Sequence, residues 1–170
     1  MKHLKTLVLA AVLLFGSTSF MNAQSKVAHI NTEELISAMP ETKAAQAEME
    51  KLGKTYDVQL QDMGKEYDNK VKQYDAEAQS QTQEENQKRV EEVTGMRQNI
   101  GQFQQQAQQE MQKKQIDLLK PITEKAKAAI LKVAKAQGFH YVLDSTEGQG
   151  VILADGKDLL ADVKKELGIQ

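Results

Sequence analysis

The chain has no cysteine and no tryptophan, only two prolines, and aromatic residues make up 5% of it. Without cysteine there can be no disulfide, no thiol nucleophile and no lipid-modified cysteine of the lipoprotein kind. With so few aromatics, a single large core running through the middle of the chain is excluded, although 170 residues suit one domain. Charge of one sign is also lacking: 22 basic residues face 24 acidic ones, interspersed along the chain. That balance gives no basic footprint for nucleic acid.

What is present begins with an address. Lys2, His3 and Lys5 precede an apolar run from Leu7 to Phe15, followed by small and polar residues up to Ala23. This is the layout of a secretory signal peptide, with cleavage expected after Ala23, and the run is too short to span a bilayer. Export without disulfides points to the periplasm rather than to a stapled extracellular module.

The long middle of the chain carries a regular apolar stripe: Met49, Leu52, Tyr56, Leu60, Met63, Tyr67, Val71, Tyr74 and Ala78. Its steps of three, four and four close every eleven residues, about 3.67 residues per turn, which gives a nearly straight helix. A second stripe follows, in which Met96, Ala107, Leu118 and Ala129 share that spacing, as do Ile100, Met111, Ile122 and Val133. Between them, residues 80–85 lose the stripe, and Thr82 followed by Glu85 forms a capping-box pattern. The expectation is an antiparallel helical hairpin over residues 41–120 with its tip near 80–86. Pro40 stops a short helix and starts the long one, and Pro121 is expected to kink the descending arm.

The two ends of the chain supply everything else. Residues 26–31 read as a strand, and Thr32 as the cap of a short helix with Glu33 and Glu34 in its first turn. Gly138 closes the long descending helix. Residues 139–144 and 151–154 read as strands separated by a glycine-containing turn, and Asp158 as the cap of an amphipathic final helix. The predicted fold class is α+β: a body from residues 24–40 and 121–170, with the hairpin projecting from it as a tentacle. Three short strands make a small core, and such cores are usually completed by oligomerisation. Val27, Ile30, Tyr141, Leu143, Val151 and Leu153 are the candidate oligomerisation residues of this body.

Little in the sequence points to chemistry. His29 and His140 fall on predicted strands without a cysteine or carboxylate at ligand spacing, which favours structural roles over a metal site. Glu84-Glu85 and Glu91-Glu92 are adjacent pairs that point to different faces of a helix, so paired acid–base work is not expected. Residues 148–150 (Gly-Gln-Gly) open no helix in phosphate-loop style, and no serine sits in a nucleophile elbow. No catalytic residue, metal or cofactor is expected.

In order and length these elements resemble the Skp/OmpH family of periplasmic chaperones for outer-membrane proteins. The resemblance rests on the strand over residues 27–30 and the Met39-Pro40-Glu41 entry into the long helix. It extends through the polar hairpin, residues 119–122 (Leu-Lys-Pro-Ile), and Gly138 before Tyr141-Val142-Leu143-Asp144 to the terminal helix. It implies a homotrimer whose strands join into a central body, with three tentacles enclosing unfolded outer-membrane proteins without ATP. Met63, Met96 and Met111 are candidate client contacts, because methionine adapts its shape to varied apolar surfaces. Residues 76–97 carry five glutamates against Lys88, Arg89 and Arg97. The resemblance implies strongly basic tentacles that meet anionic lipid or lipopolysaccharide; this stretch departs from that pattern with a slight negative excess, which makes such contact doubtful here. The other function class that fits is a structural or adaptor coiled coil of the cell envelope, docking on a folded partner.

Overall fold

The computed structural model describes residues 26–169. The targeting segment read in residues 1–23 lies outside them. Along the chain come β1 (Val27–Ile30), α1 (Thr32–Ala38) and α2 (Pro40–Glu77), then a 3-10 turn (Ala78–Ser80). They are followed by α3 (Gln83–Ala136), β2 (Tyr141–Asp144), β3 (Lys157–Asp158) and α4 (Leu160–Leu167). The helix α2 has 38 residues. At ~1.5 Å per residue it runs for ~57 Å. Beside it α3 returns as an antiparallel arm.

Local chemistry sets the ends of these helices. Met39 closes α1 and precedes α2 in extended geometry. Pro40 takes the first helical position, where its missing N–H costs nothing. At the tip, the Thr82 hydroxyl accepts the N–H of Glu85 at 3.2 Å, and Asn86 Nδ2 donates to the Ala78 carbonyl at 2.9 Å. Gly138 ends α3 in the left-handed region, at φ 74. Its N–H bonds to the Lys135 carbonyl, and the Phe139 N–H to the Ala134 carbonyl, which satisfies the last turn.

The strands form one parallel sheet in the order β2-β1-β3. The two ends of the described chain are therefore brought together, and the hairpin is the excursion between two neighbouring strands. Alternation along β1 sends Ala28 and Ile30 inward and leaves Val27 outward. The inward side packs on Leu35 of α1, on Met39 just before the hairpin, on Ile122, Ala126, Ala129 and Val133 of α3, and on Leu159 and Val163 near the C-terminus.

Three local expectations are corrected. Residues 151–154 are not a strand; β3 is the two-residue Lys157–Asp158, after the Asp155-Gly156 turn. The cap of α1 is Asn31, whose side chain accepts the Glu34 N–H at 2.9 Å, because the Thr32 hydroxyl is engaged by Asp144. The final helix α4 begins after Leu159, and Asp158 serves it from one residue further back by accepting the Leu160 N–H at 2.8 Å. Pro121 lies inside α3, which continues through it as one helix.

Candidate functional site

Two surfaces remain open once the chain has folded. The first is the seam of the hairpin. A pair of helices can cover its shared stripe from only one side, so most stripe residues stay half-buried. Met63, Met96 and Met111 all lie on that seam and are all half-buried. The arms hold few fully buried positions, among them Ala45 on α2 and Ala107 on α3, and no described position closer to the tip on either arm is fully buried.

Polar clasps hold the arms together at intervals. Glu41 pairs with Lys125, and Glu48 with Lys114 at 2.6 Å. Further out, the Tyr56 hydroxyl donates to Glu110, while its ring meets Phe103 edge-on at 5.9 Å between centroids. Near the tip, Glu92 accepts from both the Tyr74 hydroxyl and Lys70, the latter at 2.9 Å. Arg89 lies over the Tyr74 ring, 4.5 Å from its centroid, and pairs with Glu77 at 2.8 Å. Glu85 is 3.6 Å from Arg89 Nε, too far for a hydrogen bond, so the guanidinium is held by Glu77 and the ring.

These contacts stabilise the charged carboxylates. Glu92 is held below the usual carboxylate range by the Tyr74 hydroxyl and then by Lys70. Hydrogen bonds from Gln73 and Arg89 lower Glu77, and those from Tyr56 and Gln106 lower Glu110. The same Tyr56 contact raises the tyrosine. The tip clasp was not legible as a site in the sequence. Its only hint was Arg89, one of two arginines in the chain, set among glutamates.

The second surface is the outer side of the body. Val27 (45% exposed), Tyr141 (60%) and Leu143 (46%) point away from the core on adjacent strands in matched register. Ile30, expected among them, faces the core of its own chain at 1% exposure. Val151 is half-buried, whereas Leu153 is 81% exposed and Ile152 beside it is fully exposed. Beside the free edge of β2 lies a groove of about 520 Å³, lined by Ile36, Ile130, Leu131, Phe139, Val142 and Leu143, with Lys127 and Lys135 at its rim. Leu131 and Ile152 were missed by the sequence reading, since an exposed and a buried apolar residue look alike in a pattern.

At the end of the sheet, Asp144 joins the two halves of the body. It accepts the Thr32 hydroxyl at 2.6 Å, the Thr146 hydroxyl at 2.7 Å and the Thr146 N–H at 3.0 Å. Partial burial would raise its pKa, but the hydrogen bonds from Thr32 and Thr146 outweigh this and hold the carboxyl below its ordinary range. The histidines serve as ties: His29 Nδ1 sits 3.1 Å from Ser145 Oγ, and His140 Nδ1 accepts the Lys26 N–H. Among the described residues, no group of three or more His, Cys, Asp or Glu side chains could hold a metal ion. Nor is any described helix long and apolar enough to cross a membrane.

Comparison with known proteins agrees with this architecture. No curated protein sequence matches the chain. The crystal structure of a candidate outer membrane chaperone (OmpH-like) from Caulobacter crescentus superposes with a TM-score of 0.76 over 85% of each chain. Identity between the two is 19%, so that likeness speaks for the fold. The family model described as outer membrane protein (OmpH-like) matches residues 26–167, the body and the whole hairpin. The chain belongs to the OmpH-like family.

Proposed function

We propose that the protein is a periplasmic holdase that keeps unfolded outer-membrane proteins from aggregating, without ATP and without chemistry of its own. The observation that carries this reading is the half-buried seam. Met63, Met96 and Met111 stay partly open along it. A hairpin of ~57 Å open in this way offers many weak apolar contacts and no single strong one. Weak, distributed and shape-tolerant contact is what a binder of many unfolded sequences needs. Unfolded barrel strands expose edges and alternating apolar faces, and they aggregate when they meet one another. Walls that keep them apart remove that encounter.

The body supports a trimer in the same reading. Val27, Tyr141, Leu143, Val151 and Leu153 supply apolar surface for a neighbouring copy, with Ile30 backing the sheet from inside. Three hairpins rising from one such body would enclose a cavity. The test is dilution of a urea-unfolded outer-membrane barrel protein into buffer with the purified protein and no nucleotide. Light scattering should fall to the level of the client-free control once the chaperone is stoichiometric. Undiminished aggregation across a range of ratios would refute the holdase reading.

A further inference from the structure

Methionine is the side chain that an oxidant meets first in this chain, because cysteine and tryptophan are both absent. Five methionines fall within the described residues. Met39 is closed into the body core at 1% exposure. Met49, Met63, Met96 and Met111 are all half-buried along the hairpin. The partly open methionines therefore all lie on the seam where the two arms meet.

Their surroundings make that seam sensitive to added polarity. The Met111 methyl reaches α2 at Gly53, 3.7 Å from where a Cβ on that glycine would stand. Met63 and Met96 lie between the Tyr56–Glu110 and Lys70–Glu92 clasps. Among the described residues, no side-chain hydrogen bond or ion pair joins the arms within that stretch, so apolar contact alone holds it. Gly64, Gly95 and Gly101 weaken the helices there further.

We propose that Met49, Met63, Met96 and Met111 form a reversible oxidation site, at which a hydroperoxide turns the seam thioethers into sulfoxides and loosens the hairpin. At each sulfur one S–O bond forms as the O–O bond breaks. Sulfur gives up two electrons to the peroxide, whose other oxygen takes the proton and leaves as water. The sulfoxide is polar where the thioether was apolar and flexible. Its oxygen loses water whenever the seam closes over it, which favours parted arms. A methionine sulfoxide reductase supplied with a dithiol reverses the step: two thiols become a disulfide, and the oxygen leaves as water. The consequence for clients rests on the holdase reading above, in which Met63, Met96 and Met111 meet the client. The modification itself does not depend on that reading.

The experiment treats the purified, folded protein with hydrogen peroxide. Peptide mass spectrometry should show about 16 Da added at each seam methionine, at least roughly tenfold faster than at Met39. The thermal midpoint by circular dichroism should fall, and amide exchange should quicken at residues 57–69 and 93–109, between the two clasps. Reductase with dithiothreitol should restore both. Suppressing aggregation of an unfolded barrel client should take at least about twice as much oxidised as untreated protein. A variant carrying Met49→Leu, Met63→Leu, Met96→Leu and Met111→Leu together should give the same midpoint and protection before and after peroxide, whatever its starting level. Met39 reacting as fast as the seam methionines would overturn the site. Sulfoxide at all four positions with unchanged midpoint and exchange would overturn the loosening, as would an equal fall in the leucine variant. An untreated protein that gives no protection would sink the holdase reading, while the mass, midpoint and exchange measurements still decide the oxidation site.

Discussion

Asp144 shows how much one side chain can organise. It lies at the end of β2, yet it orders the start of α1 through Thr32 and its own loop through Thr146. Removing an acceptor shared by several partly buried donors leaves them unsatisfied, at a cost of roughly 1–3 kcal/mol. Asp144→Ala is therefore expected to lower the midpoint of urea unfolding at neutral pH. Sign follows from the depressed folded pKa. The carboxylate's stabilisation is fully present above the unfolded-state value of about 3.9 and is lost as pH falls through the lower folded value. The gap between parent and variant should therefore shrink in acid. A gap that is the same at neutral and acid pH would mean that the charge is irrelevant and only shape matters.

At the scale of the element, the hairpin carries glycines that close packing does not require. A Cβ added at Gly64 would meet nothing within 4 Å, and one at Gly53 would make only ordinary contact with Met111 at 3.7 Å. A mid-helix glycine costs about 0.5–1 kcal/mol relative to alanine. Gly64→Ala should thus stabilise α2 by that amount, read as a rise in the thermal midpoint by circular dichroism. A fall would show that the arm needs room at that point. The clasps at Tyr56–Glu110 and Lys70–Glu92 lie on either side of Gly64, so the stretch between them rests on the apolar seam.

For the molecule as a whole, charge decides how a client would be met. Both signs are spread along the hairpin, and many of its acids are engaged by a neighbouring base. Long-range attraction is therefore small, and salt has little to screen. Aggregation suppression by this protein is expected to change less than about twofold between roughly 50 mM and roughly 500 mM salt. A steep loss of protection with salt would show that capture is electrostatic. Replacing Met63, Met96 and Met111 together by Gln should weaken protection at every salt concentration, because it removes apolar contact without altering charge.

The sequence by itself determined the elements whose causes are local. An eleven-residue period, Pro40 at a helix start, Thr82 at the tip and Gly138 at a helix end each depend on neighbours a few residues away. The positions of the three seam methionines followed from that period as well. Tertiary structure decided whatever depends on partners far away along the chain. Ile30 and Tyr141 both look like strand residues, yet one is core and the other surface. The helices and α4 cover only one side of the sheet, and alternation points the two side chains to opposite sides. Thr32 looked like a cap until Asp144 arrived from the other end of the chain to take its hydroxyl. Residues 151–154 have the composition of a strand, but strand pairing needs a free edge. The fold delivers β3 on the far side of β1, so that stretch has no edge of its own to join.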